Sequence, residues 1–264
     1  MSIIVLILYF FAGAIWGSFL GVIVERLNWR KGKWHLDLLS PSHCKYCKHK
    51  LSALDLIPIF SFLALKGKCH YCQKPIGWQI LLVEIYSGLI FVLSYISFFD
   101  GLASWPSLAL GIILGSVLGI IIFYDAKSQL IPDPLILILI LLSFIRIIFN
   151  LAPKFYSQSN LWQPILGSLI ICAFLFLIYF FTRGKGMGLG DAKLGLALGL
   201  FLSIKLSVLL IWLAFIFGGI IALIILILRL KKASDRIAFA PFLIISFLII
   251  YFLPGVVNWF SILW

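Results

Sequence analysis

Ser107–Asp125, SLALGIILGSVLGIIIFYD, is an uncharged apolar run that ends in an acid. Residues 107–124 would rise about 27 Å as an α-helix, close to the roughly 30 Å hydrocarbon core of a bilayer. Seven more apolar stretches stand at 3–24, 78–99, 132–149, 162–181, 191–204, 207–228 and 238–259. With 63% hydrophobic and only 11% charged residues, the chain lies far from the balance of a soluble domain. The expected fold is an all-α polytopic membrane protein, with about eight transmembrane helices and a cytoplasmic zinc-binding loop domain after the first. The sixth stretch, 191–204, is short, carries Gly195 and Gly199, and runs almost directly into the seventh. A seven-span reading is its main competitor.

Basic residues decide the orientation. Arg26, Arg30, Lys31, Lys33, Lys45, Lys48, Lys50, Lys66, Lys68 and Lys74 fall between the first two spans. Lys127 follows the third span, Arg183, Lys185 and Lys193 surround the start of the sixth, and Arg229, Lys231, Lys232 and Arg236 follow the seventh. In the eight-span arrangement all of these share one side, against Arg146, Lys154 and Lys205 on the other. The positive-inside rule makes the basic side cytoplasmic and puts both termini outside. The net charge of +12 is thus largely topogenic. It favours anionic membrane lipids and calls for no nucleic acid. Met1–Leu20 lacks a basic leader region and a small-residue cleavage site, so it reads as a retained first span.

Three parts are expected: 1–24 as the first helix, 25–77 as a cytoplasmic loop domain, and 78–264 as the multi-helix membrane domain. The loop contains Cys44-Lys-Tyr-Cys47 and Cys69-His-Tyr-Cys72. Two such pairs suit a four-thiolate zinc site, each turn offering two ligands. A reducing cytoplasm disfavours disulfides, and a segment this small needs a metal to offset its meagre core. Redox-active dithiols or unliganded thiols are the competing readings. His43, His49 and His70 read as solvated surface residues, and Cys172 as a small buried apolar side chain. Leu51–Leu65, broken by Asp55 and Pro58, is too short to span and reads as a segment lying on the inner leaflet.

Only nine acids exist. Glu25, Asp37, Asp55, Asp100 and Asp235 fall in loops, leaving Glu84, Asp125, Asp133 and Asp191. Charge at membrane depth is costly and marks function. Asp125 closes the third span and Asp191 opens the sixth, both on the cytoplasmic side. Two carboxylates sharing a site hold one proton between them, which suits amide hydrolysis: one draws a proton from water while the other polarises the peptide carbonyl. Glycines at 184, 186, 188 and 190 would give the backbone before Asp191 unusual freedom, or let a substrate strand approach. Taken singly, Asp191 could cap its helix and Asp125 could pair with Lys127 or Lys193. Asp133, after Pro132, suits the first turn of the fourth span. Glu84 has no evident partner. GKGMGLGDAK lacks the order of a phosphate-binding loop.

In this order the segments resemble the type IV prepilin peptidases, of the GxGD class of membrane aspartic proteases. The likeness rests on Gly17-Ser-Phe-Leu20 with Glu25-Arg-Leu27, on Ser40-Pro-Ser-His-Cys44…Cys47, and on Leu56-Ile-Pro-Ile-Phe-Ser-Phe62. It continues through Lys66-Gly-Lys-Cys69…Cys72, Val83-Glu84, Asp125 with Ile131-Pro-Asp133, Gly188-Leu-Gly-Asp-Ala-Lys193 and Phe239-Ala-Pro-Phe-Leu243. The resemblance implies that Asp125 and Asp191 are catalytic. It implies substrates with a short basic leader ahead of a hydrophobic helix, the prepilin or pseudopilin precursors, cut at the cytoplasmic face of the cell inner membrane. It further implies N-methylation of the new N-terminus from S-adenosylmethionine, with the cysteine loop contributing. Gly21, Asn28, His43 and Ala240 depart from the usual pattern, and the first three lie in the N-terminal half. A peptidase without the second activity is therefore the nearest alternative, and no residue is assigned to that cofactor. An ion-coupled transporter would prefer acids near the midplane and internal repeats, which the sequence lacks. A thiol oxidoreductase would need its cysteines on the other side.

Overall fold

A computed structural model describes residues 2–30, 33–35, 42–52, 54–99, 105–151, 162–184, 186–229 and 238–253. Lys31, Asp37, Asp100, Lys154, Lys185, Lys231, Lys232, Asp235 and Arg236, together with 254–259 of the eighth apolar stretch, lie outside the described residues. Each of the eight apolar stretches contains a helix among the described residues. The helices are α1 (Ile3–Arg26), α3 (Trp78–Phe99), α4 (Trp105–Ser128), α5 (Asp133–Ile148), α6 (Trp162–Thr182), α7 (Leu189–Gly199), α8 (Ile204–Ile227) and α9 (Ala240–Phe252). A short α2 (Phe60–Ala64) lies between α1 and α3. A small antiparallel ribbon, β1 (Asn28–Arg30) and β2 (Lys33–His35), pairs Trp29 with Trp34 and is the one departure from an all-helical reading among the described elements.

Among the described residues five helices, α1, α3, α4, α6 and α8, are long and apolar enough to cross a membrane. Three are shorter, α5, α7 and α9, and the sixth stretch gives the shortest. α7 has 11 residues, a rise of about 16 Å or half a bilayer core. The chain then turns through Leu200–Ser203 into α8. Asp191, Ala192, Leu194, Gly195, Ala197, Leu198 and Gly199 of α7 are buried. Small side chains suit this helix to protein contact rather than lipid.

The chain forms two compact units, residues 1–96 with 111–123, and residues 97–110 with 124–264. Within the first unit, glycines four apart bring helix backbones close. A Cβ on Gly13 would lie 2.6 Å from the Ser87 carbonyl oxygen, and one on Gly17 would lie 2.8 Å from Glu84 Cα. Gly115 and Gly119 of α4 make the same kind of room for Ile90 and Tyr86 of α3. Small residues spaced this way are the usual solution where lipid supplies no hydrophobic drive for helix association. The Tyr86 hydroxyl donates to the Gly115 carbonyl at 2.8 Å, and the Trp16 indole N–H donates to Ser116 Oγ at 2.9 Å. Glu25, expected in a loop, sits in the last turn of α1 and pairs with Lys45.

In the second unit α7 packs against α6, α5 and α9, while α8 packs against α6 and α9. Gly199 fits directly on α6, where a Cβ would collide with the backbone of Ser168. Arg146, counted above among the outward basic residues, is buried with its guanidinium carbon 5.9 Å from the Phe201 ring centroid. It is a packed cation rather than a surface charge.

Candidate active site and metal cluster

Both aspartates belong to the second unit. Asp125 stands in the last turn of α4, which closes when Gln129 adopts φ 53 and its N–H donates back to the Asp125 carbonyl at 2.8 Å. Its side chain is buried, and among the described residues Oδ2 of Asp125 has no hydrogen-bond partner. Asp191 is the third residue of α7 and is also buried. Its Oδ2 accepts the Gly188 N–H at 3.1 Å. The capping contact weighed against function is therefore real, but it occupies one oxygen and leaves the carboxylate's remaining acceptor sites free for other work. Asp125 lies within electrostatic reach of Asp191. The structure thus brings the two acids into one neighbourhood, although two helices, α5 and α6, separate them in the sequence.

Ile131-Pro-Asp133 packs along Gly188–Lys193. A Cβ on Gly190 would lie 3.4 Å from Ile131 side-chain carbons, and Lys193 Nζ binds Asp133 Oδ1 at 2.7 Å. Lys193 therefore pairs with Asp133, not with Asp125 as one reading of the sequence allowed. Asp133 occupies the first turn of α5, with Pro132 at the N-cap. The unusual backbone expected of the glycines is seen at one position. Of positions 184, 186, 188 and 190, only Gly184, at φ 73, needs the left-handed conformation. Gly188 lies beside Asp191 Oδ2 and Gly190 beneath Ile131, each where a Cβ would make ordinary van der Waals contact.

The Lys193–Asp133 pair is half-exposed or more on both sides, so its contribution to stability is small, about 0.2–1 kcal/mol. Its expected effect is on placement of Asp191, two residues away. Lys193→Glu should lower substrate turnover several-fold with little change in melting temperature, and adding Asp133→Lys should restore part of it. Initial-rate assays on the two single variants and the double variant measure that coupling; additive losses would exclude it.

The four cysteines gather as well. Their sulfurs all lie within 4.8 Å of one another, with Cys44 Sγ 3.8 Å from Cys72 Sγ. Tetrahedral zinc with Zn–S bonds of about 2.3 Å needs sulfur–sulfur edges of about 3.8 Å, so the donor set fits that metal. The two turns are built alike. Cys44 N–H donates to His49 O and Lys48 N–H to Cys44 O; Cys69 N–H donates to Lys74 O and Gln73 N–H to Cys69 O. Lys48 and Gln73 take the same left-handed φ, 59 and 58. Backbone N–H groups of Cys47 and Tyr46 directed at the Cys44 sulfur pull its thiol down to about 6, favouring the thiolate a metal requires.

Asp55, dismissed above as a loop acid, holds this region together. Its Oδ2 accepts the Ser52 N–H at 2.9 Å and the Ser52 hydroxyl at 2.8 Å, a reciprocal cap on the single helical turn Leu54–Leu56. Tyr71 OH and His70 Nδ1 approach the same carboxylate at 3.4 and 3.5 Å, so His70 is engaged rather than merely solvated. The Ser52-x-x-Asp55 spacing was the available signal. The contacts to the second cysteine turn carry none.

Residues 11–98 match the Bacterial Peptidase A24 N-terminal domain, and residues 112–223 match the Type IV leader peptidase family. Relatives named prepilin leader peptidase/N-methyltransferase include one from Dickeya chrysanthemi, 32% identical across 89% of this chain and 87% of its own. One from Pectobacterium carotovorum subsp. carotovorum is 31% identical across 89% and 88%. One from Stutzerimonas stutzeri is 29% identical across 96% and 88%. No solved structure matches the chain. With both parts of the family matched in order, and relatives above 30% identity covered over most of their length, the chain belongs to the type IV leader peptidase family.

Proposed function

We propose that this membrane leader peptidase removes the basic leader from type IV prepilin or pseudopilin precursors, with Asp125 and Asp191 as its catalytic pair. The observation that carries the reading is the pair itself: two buried carboxylates in electrostatic reach, one with an unpartnered oxygen, the other fixed by the Gly188 N–H. In the hydrolysis, the ionised carboxylate takes a proton from water as the water oxygen bonds to the scissile carbonyl carbon. The protonated carboxyl gives its proton to the carbonyl oxygen. The tetrahedral intermediate then collapses as the C–N bond breaks, and the leaving nitrogen takes up a proton from the pair. Cutting takes place at the cytoplasmic membrane face with both termini outside, in keeping with the distribution of Lys and Arg.

Cys44, Cys47, Cys69 and Cys72 hold a structural zinc ion within a 25–77 domain, set between the first helix, 1–24, and the membrane domain, 78–264. When bound, zinc supplies a cross-link between the two turns and takes no part in hydrolysis. The second activity in the relatives' name, N-methylation, requires a methyl donor of the S-adenosylmethionine kind. The groove lined by Phe174, Ile211, Trp212, Phe215 and Ile216 does not fit that cofactor, having no carboxylate or basic side chain to hold a polar nucleoside.

Incubation of purified protein with a prepilin substrate, followed by mass spectrometry, tests the reading. The expected product has lost its leader at one position. One added methyl group when the donor is supplied identifies the bifunctional enzyme, and its absence the peptidase alone. An uncut substrate refutes the proposal.

A further inference from the structure

Residues 56–65 reach α1 well before its C-terminal end. The Phe60 ring stacks on Phe11 of α1, with centroids 5.8 Å apart and planes at 17°. Phe11 stands about fifteen residues, roughly 22 Å of helix, before the Arg26 end of α1. An interfacial helix sinks only about 5–10 Å, so it would meet the last turns of α1 rather than its middle. The other flank agrees. The Ile59 N–H donates to Glu84 Oε2 at 2.7 Å, and Glu84 lies about 9 Å along α3 from Trp78. The return limb is also visible: Phe62 is buried and its ring lies 5.3 Å from that of Trp78, at the start of α3. Asp55, held with His70 and Tyr71, stays with the cysteine turns.

We propose that residues 56–65 form a re-entrant elbow in contact with the acyl chains of the leaflet next to the C-terminal end of α1, and that Glu84 is the positioning residue that holds its turn. Non-helical backbone at membrane depth persists only where protein satisfies its polar groups. Ile59 is a β-branched residue at φ 64, a conformation such residues rarely adopt, and its N–H precedes the α2 ladder. The Glu84 carboxylate accepts that N–H and also meets the Ser18 hydroxyl of α1. A buried acid without a partner in the sequence thus serves as the acceptor that lets the chain turn inside the membrane. Leu56, Ile57, Phe60 and Leu63 are exposed on the elbow, which in hydrocarbon is their favourable state. The elbow joins Cys47 to Cys69 in the chain, so it ties the cysteine cluster to the membrane.

Trifluoromethyl-phenylalanine placed at position 60 of the full chain, in nanodiscs of phosphatidylethanolamine and phosphatidylglycerol, tests the depth by fluorine relaxation. Dissolved oxygen should relax position 60 as strongly as a label at Phe11, and a soluble nickel chelate should affect it far less than a label at Tyr46. Nickel-dominated relaxation at 60 overturns the elbow. Glu84→Gln keeps an oxygen acceptor and should leave the position-60 signal unchanged, whereas Glu84→Ala should shift it toward the aqueous value. A Glu84→Ala signal that stays deep, or a Glu84→Gln signal that turns aqueous, removes Glu84 from the role.

Discussion

Asp125→Asn and Asp191→Asn will each stop leader removal while leaving the protein folded and inserted. Asparagine is nearly isosteric but neither takes a proton from water nor donates one as a carboxyl group does. Loss of a positioned acid or base costs about 10²–10⁴-fold in rate, and two groups that act as a unit lose activity together. The double variant should therefore be no worse than either single one. The fold should survive for a specific reason. The amide that replaces the carboxylate in Asp191→Asn keeps a carbonyl oxygen to accept the Gly188 N–H. The start of α7 thus retains its cap, and melting should change by no more than about 1 kcal/mol. Cleavage of a prepilin substrate, scored beside a thermal melt in detergent, separates the two effects. Normal cleavage by either single variant would falsify the assigned chemistry.

Metal removal is expected to have the second large effect. Elemental analysis of purified protein should find about one zinc per chain, and Cys44→Ser or Cys69→Ser should abolish it. Those two cysteines are the more buried of the four and each anchors one of the matching turns. Structural zinc sites bind with apparent free energies on the order of 10 kcal/mol, far above what a few turn hydrogen bonds supply. Without the ion, residues 42–52 and 66–76 should become sensitive to limited proteolysis while the membrane helices stay intact. A zinc-free preparation with full activity and an unchanged digestion pattern would leave the four thiols without a structural role.

Helix positions were legible because length and apolarity are local properties. The run at 107–124 needs no partner to be recognised, and most helices begin and end within about four residues of the expected bounds, although α7 and α9 stop five and seven residues early. The acids at 125 and 191 stood out as candidates for a related reason, since charge at the end of an apolar run has few inexpensive explanations. The cysteine pairs announced themselves by spacing. What could not be read were contacts between distant residues: Lys193 with Asp133, 60 positions apart, and Ile59 with Glu84, 25 apart. The burial of Arg146 against Phe201 belongs with these, because a basic residue near a helix end shows its neighbours only in the fold.

By itself, then, the sequence determined that this is a helical membrane protein with a four-cysteine loop and two acids at span ends, since apolar length, charge and ligand spacing act along the chain. The tertiary structure decided the rest. It made α7 a buried half-length helix, because glycines at 195 and 199 let its backbone press on α6. It brought Asp125 and Asp191 within electrostatic reach and turned Glu84 into a backbone acceptor. Such outcomes depend on which surfaces meet, and no local pattern encodes that.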